Sequence, residues 1–328
     1  MSDYFSDIRQ TLTGHFIDYA IGKPKLDFVG RRLFQDVTAS AWEQKIMFNN
    51  LFDTVLHDTR VPPGSRGKQV KFESESISYS VGQNAIEDTF SNDKLKMEIA
   101  QLKGGTSGIA PDFIRNLYMN KVQSIIDDLT YKIDLYDELD KSTKIQTAAN
   151  YGTQTSAAVA VWTGAGSTPL TSDIMPARKA FYEAVGVYPN KVLISPDAKY
   201  ALQGNSSIQA YIGNEGTTNG MKMVLDEQLA TIFQVNEVIE GVGQYKTDLN
   251  SVHIPFYTKT FVYYYEGTGD FKQEPAFGIH LEDRSEAGAK EWFVEPQNYH
   301  VEVRRPYVNI LIPHTKKVFA GFLITDCV

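Results

Sequence analysis

Between Pro111 and Asp140 the sequence reads PDFIRNLYMNKVQSIIDDLTYKIDLYDELD, and no other stretch limits the fold so strongly. Tyr118, Val122, Ile125, Leu129, Ile133 and Tyr136 recur at spacings of three and four, as far as Leu139. That is the period of one helical face. Proline in the first turn and the Asp112 carboxylate at the positive end of the helix dipole open it in the preferred way. At 1.5 Å per residue the helix from Asp112 to Asp140 would be roughly 40 Å long. That is more than twice the mean helix of ~11–12 residues.

The period before this helix is two. Val70 and Phe72 alternate with Lys71 and Glu73, Ile77, Tyr79 and Val81 with Ser78 and Ser80, and Leu95, Met97 and Ile99 with Lys94, Lys96 and Glu98. Such alternation predicts strands with one dry and one wet face. Gly104-Gly105 and Gly108 punctuate the return. A long helix beside an extended ribbon is an unusual pairing for a compact enzyme. Further upstream, residues 1–21 place Phe5, Ile8, Leu12, Phe16 and Tyr19 on a helical stripe, which Gly22, Pro24 and Gly30 break. Ser40-Ala41-Trp42-Glu43 fits a capping box, and Trp42, Ile46, Leu51, Phe52, Val55 and Leu56 continue as a helix that ends at Val61-Pro62-Pro63-Gly64.

Downstream, Thr147–Thr171 is rich in small residues and reads as a loop or linker. Ser172 caps a helix to Val185, and Gly186 stops it. Val192-Leu193-Ile194 is a short apolar strand, Ser195-Pro196 caps a helix ending near Gly204, and Asn214–Gly220 is a loop. Asp226–Phe233 reads as a helix and Val235–Ile239 as a strand. Strands then dominate, at 252–265, 276–281, 299–303, 307–312 and 318–325. The class is α+β.

Composition narrows the function. The chain has 328 residues, 42% of them hydrophobic, enough for a sizeable core or two domains. Eighteen Tyr and eighteen Phe supply large burial areas of the kind enriched in sheets and interfaces. A net charge of −8 argues against a nucleic-acid binder, which needs clustered Lys and Arg. The single cysteine, Cys327, leaves no intramolecular disulfide and fits a reducing cytoplasm. The opening MSDYFSDIRQ has no signal-peptide pattern, and Val318–Ile324 is too short to span a membrane.

Catalytic signatures are missing. The six histidines, His15, His57, His253, His280, His300 and His314, have no metal-ligand spacing and read as structural. Asp127, Asp128, Asp134, Asp137, Glu138 and Asp140 crowd the long helix. With Lys121, Lys132 and Lys141 among them, they read as a solvated or subunit-facing helix surface. Gly241-Val242-Gly243 lacks the third glycine and following helix of a dinucleotide site, and Gly164-Ala165-Gly166 lacks the end of a P-loop. The pairs Arg31-Arg32, Arg304-Arg305 and Lys316-Lys317 are scattered and read as surface pairs or salt-bridge partners. The expectation is a non-enzyme with no cofactor and no metal.

The order of arm, ribbon, long helix, small-residue link, α/β domain and β-rich close resembles the major capsid proteins of tailed bacteriophages, with the fold named after phage Hong Kong ninety-seven. The run YPNKVLISPDAKYAL followed by GNSSI is the most specific part of the resemblance, and QLATIFQVNEVIEG and PAFGIH also fit. The resemblance implies an N-terminal arm over 1–60 and a β-hairpin E-loop with its stems over 61–108. It implies a peripheral domain with the spine helix over 109–165, an axial domain over 166–275, and a β-rich return over 276–328 to both domains.

The function it implies is self-assembly into pentamers and hexamers of an icosahedral virion shell around double-stranded DNA, put together in the host cytoplasm. The implied partners are the chain itself and scaffolding, portal and decoration proteins; no membrane is involved. Arg66, Lys94, Lys96, Asn214 and Asn219 are the inter-subunit contact candidates by position. Some members weld subunits through a Lys–Asn isopeptide bond. Lys94, Lys96 and Lys103 lie in the region for such a lysine, but no motif carries the chemistry over. Two alternatives stand beside this. One is an encapsulin-like nanocompartment shell or other virion protein. The other is a carbohydrate-active hydrolase using paired carboxylates such as Glu73/Glu75 or Asp127/Asp128.

Overall fold

The computed structural model describes residues 28–38, 43–49, 74–91, 111–164, 166–211, 226–248, 250–267, 274–284, 287–295, 298–316 and 319–328. The expected elements over 1–21, 51–73, 92–110 and 212–225 lie outside these residues.

The long helix runs from Pro111 to Gln146, 36 residues. It outruns the expected end at Asp140 by almost two turns. Its buried stripe is Val122, Ile126, Leu129 and Ile133, which Asp137, Lys141 and Ile145 continue at helical spacing. Tyr136, expected on that stripe, is 61% exposed. Two of the three lower positions on the stripe are charged, and Asp137 and Lys141 pair with each other there.

That sheet is built on Asn298–Leu311, a strand of 14 residues. Gly82–Ser91 pairs antiparallel along one edge, from Tyr307↔Gly82 to Asn298↔Ser91. The other edge takes Gly278–Glu282 opposite residues 307–311 and Gly288–Glu295 opposite residues 298–304. Phe34–Thr38 closes the sheet, parallel to Gly278–Glu282. The sequence reading split the central strand in two around Pro306, but the strand is continuous. The Pro306 carbonyl accepts from the Asp283 N–H at 3.0 Å, on the edge where neither flanking strand pairs with it. In a strand the missing N–H would point to that same edge, so no ladder bond is lost.

A second five-stranded sheet has the order Thr155–Ala157, Gly321–Thr325, Phe261–Tyr264, Lys191–Ile194, Glu237–Glu240. All four residues of Phe261–Tyr264 are buried. Phe261 and Tyr263, with Val192, Ile194, Phe322 and Ile324, pack into a core beneath the helices. These are Met175–Val185, Pro196–Gly204, Ser206–Tyr211 and Asp226–Phe233. Val262 and Tyr264, with Leu193 and Leu323, pack into another core that holds Phe34 and Ile279 of the first sheet and Phe277 just before its strand Gly278–Glu282. Strands covered on both faces read as unbroken apolar runs, which is how KVLI and FVYY appear.

Several expectations need correction. Residues 43–49, expected in a helix, form a strand antiparallel to Ser74–Ser80 with Ile46 opposite Ile77. The helical spacing of Trp42 and Ile46 is local, and a partner strand some thirty residues away overrides it. The expected loop over 147–171 contains the strand Thr155–Ala157 and the fully buried Trp162. Ser172 is not a cap: the chain winds a wide turn over Leu170–Ile174 before Met175, and the Ser172 hydroxyl donates to the Thr168 carbonyl. The long strand expected over 252–265 reduces to Ile254–Pro255 and Phe261–Tyr264. Other expectations hold. Gly186 ends its helix in the left-handed region at φ +82°, and the Ser195 Oγ accepts from the Ala198 N–H. The strands Phe34–Thr38, Gly82–Ser91 and Gly288–Glu295 were not expected.

Candidate functional site

Asp134, Asp137, Glu138 and Lys141 are spaced three, one and three residues apart, which sets them on one helical face. None is more than 2% exposed. The expectation of a solvated carboxylate surface is therefore wrong here. It holds for Asp128, which pairs with Lys132 at 2.7 Å with both side chains at least half exposed. Asp127 lies nearby, accepting from Gln123 at 2.8 Å.

Each buried carboxylate meets a different part of the chain. Asp134 pairs with Arg31 at 2.7 Å and more closely with Arg305. The Arg305 Nε also donates to Glu282 at 2.6 Å. Glu138 takes the Gly30 N–H on both its oxygens, at 2.9 and 3.1 Å, and the Tyr257 hydroxyl at 3.0 Å. A Cβ at Gly30 would lie 2.6 Å from the Glu138 Oε2, so glycine is what allows this approach. Asp137 holds Lys141 at 2.9 Å and the Asn309 amide at 2.8 Å. That amide also donates to Asp140 at 2.9 Å. Residues far apart in sequence are thus tied to one helix. Unpaired charges buried to this degree would be severely unfavourable.

The electrostatics follow from the contacts. Burial alone would raise the Asp137 pKa, but Lys141, His280, Arg305 and the Asn309 bond reverse this and hold it far below the usual range. Glu138 is raised, because burial outweighs the Gly30, Tyr257 and Lys141 contacts. The Asn309 amide nitrogen donates to two carboxylates, so its oxygen must accept, and the His280 Nδ1 lies 2.7 Å from it. His280 therefore carries its proton on Nδ1. Its Nε2 is buried with no hydrogen-bond partner among the described residues. Burial, and then Lys141 and Arg305, push its pKa down against the pull of Asp137.

The sign of the linkage is then set. The folded His280 has the lower pKa, so on acidification the unfolded chain takes the proton first. Stability is fully present above the unfolded value of about 6.5 and falls below it by up to ~1.4 kcal/mol per pH unit, until the folded His280 titrates. We expect urea unfolding of the chain to show this loss, and His280→Gln to remove that part of the slope. Equal slopes for both proteins would refute it.

This cluster is a structural clasp, with its acids and bases already spent on one another. The described residues hold no group of three or more His, Cys, Asp and Glu placed to bind a metal. A cleft of about 520 Å³ lies beside the clasp, lined among others by Arg32, Asp36, Lys191, Glu237, Glu266 and Glu274. Lys191 pairs there with Glu237 at 3.0 Å and with Glu266. Burial acts against its charge, but those two carboxylates prevail and raise its pKa, so it is an ammonium and no nucleophile. Cys327 is buried, and burial raises its thiol pKa far above the range of a reactive thiolate.

The long helix clasped to one sheet, and the second sheet beneath a layer of helices, find counterparts among solved structures. A phage-related protein from Bordetella bronchiseptica superposes with a TM-score of 0.66 at 17% identity over 97% of both chains. A putative capsid protein of a prophage from E. coli CFT073 superposes with a TM-score of 0.52 at 11% identity, over 95% of this chain and 98% of that one. The chain has the Hong Kong ninety-seven-like phage capsid fold. No protein-family profile matches the sequence, and no curated protein matches it either. The capsid fold is therefore carried by packing and element order far below the identity that sequence comparison detects.

Within the capsid fold, the contact candidates Arg66, Lys94, Lys96, Asn214 and Asn219, together with Lys103 and Glu73, lie outside the described residues. Sequence reasoning missed the clasp itself. The signal was present: residues 134, 137 and 141 extend the apolar stripe of 122, 126, 129 and 133, so charges there face inward.

Proposed function

We propose that this chain is a major capsid protein, the shell subunit of a tailed-phage-type virion that forms pentamers and hexamers around double-stranded DNA. The observation that carries this reading is the fold shared with the phage-related protein across 97% of both chains. Residues 1–60 then serve as the arm, 61–108 as the E-loop with its stems, and the long helix with the Asn298–Leu311 sheet as the peripheral domain. The sheet containing Phe261–Tyr264 and its helices serve as the axial domain. Residues 276–328 return to both, since Gly278–Glu282 and Asn298–Leu311 sit in one sheet and Gly321–Thr325 in the other.

Shell duty needs rigidity and broad contact areas, with no cofactor. A clasp of multiply bonded charges holding a long helix to a sheet supports that reading. Sedimentation velocity with negative-stain imaging of the fast fraction tests it. Closed particles or uniform pentamers and hexamers are expected. A protein that stays monomeric at high concentration overturns it, and closed particles filled with a protein cargo in place of DNA turn it into a nanocompartment shell.

A further inference from the structure

The helix Met175–Val185 buries Ala177, Phe181 and Val185 against the sheet. On its flank, Arg178 and Tyr182 stand one turn apart. Gly186, at φ +82°, turns the chain back so that Tyr188 stacks on Tyr182, with ring centres 4.3 Å apart and planes 15° from parallel. The Arg178 guanidinium lies 4.2 Å from the centre of the Tyr188 ring. The two tyrosines are 42% and 51% exposed. The stack is thus ordered within one subunit while its surface faces outward, so little side-chain entropy remains to be lost on binding.

Arg178 departs from the commonest arrangement of the partly buried cations among the described residues. Most of its partly buried peers hold carboxylates: Lys191 with Glu237 and Glu266, Lys199 with Asp226 and Glu240, Lys144 with Asp140, Arg31 with Asp134, Arg304 with Glu302. Arg178 has no carboxylate among the described residues, and its buried Nε has no hydrogen-bond acceptor there. The chain as a whole carries 40 Asp and Glu against 32 Lys and Arg. In the same helical layer Asp197 and Glu227 are exposed carboxylates with no cation on them among the described residues. Tyr and Arg are also the side chains that dominate binding energy at protein contacts.

We propose that Arg178, Tyr182 and Tyr188 anchor a contact with a second copy of this chain, whose carboxylate receives the Arg178 guanidinium. The identity of the partner rests on the shell reading. The test compares the full-length chain with Tyr182→Ala/Tyr188→Ala, Arg178→Glu and Arg178→Gln by sedimentation over a concentration series, with thermal melting as the control for folding. Arg178→Gln leaves both rings in place and guards against a misfolded double variant. We expect melting close to wild type and a concentration for assembly raised about tenfold or more by the double alanine or the charge reversal, and a smaller rise for Arg178→Gln. Variants that assemble at the wild-type concentration overturn this contact and leave the shell reading standing. A wild-type chain that never associates overturns both.

Discussion

Arg305→Ala should cost about 3–5 kcal/mol of folding stability, the range for removing one partner of a buried ion pair. Arg305 is 7% exposed and touches Asp134 and Glu282 at once. Burial acts against its charge, but Glu282 and Asp134 more than offset this and keep it charged. Its loss takes one guanidinium partner from Glu282 and one from Asp134, which is 2% exposed and also pairs with Arg31. Arg305→Lys should recover only part of the loss, because a single ammonium cannot fork to two carboxylates as a guanidinium does. Urea unfolding of the unassembled chain measures both. An alanine variant within 1 kcal/mol of wild type, on the order of a surface substitution, would mean that the clasp contributes nothing net.

Trp162→Ala should cost a similar ~3–5 kcal/mol, by another route. Trp162 is fully buried, edge-on to Phe261 with ring centres 5.7 Å apart. Its indole N–H donates to Asp173 at 2.9 Å, and the other Asp173 oxygen takes the Val159 N–H. Alanine leaves a cavity under the second sheet and strips a donor from a carboxylate that is 4% exposed. Trp162→Phe keeps a six-membered ring in the core but loses the N–H and part of the indole, so a smaller loss of about 1–3 kcal/mol is expected. Equal losses for alanine and phenylalanine would place the whole effect in the hydrogen bond, contrary to this account.

Much of the capsid fold could be read in the sequence. The long helix announced itself because a stripe kept over many turns is hard to produce by chance, and Pro111 marked its start. Lys191–Ile194 and Pro196–Gly204 were legible because an apolar run, a serine cap and a proline are all local signals. What failed depends on distant partners. Nothing near Glu43–Asn49 says that Ser74–Ser80 lies beside it, so a helical spacing won. Asp134, Asp137 and Glu138 look like surface charges until Arg31, Arg305 and Asn309 arrive from opposite ends of the chain. The small-residue stretch around Trp162 hid a core residue because its neighbours suggest only a loop.

The two strands nearest the C-terminal end of the sequence sit inside their sheets. Asn298–Leu311 has strands on both sides, and Gly321–Thr325 lies between Thr155–Ala157 and Phe261–Tyr264. A ribosome delivers these two strands after every element they join. Until they emerge, Gly82–Ser91 and the clasp face of the long helix have no sheet to meet, and their apolar and charged surfaces wait uncovered. Completion of both sheets is therefore withheld until residues 298–325 have been made. A chain interrupted before residue 298 completes neither sheet, so an unfinished product lacks both layers and exposes the surfaces that they cover.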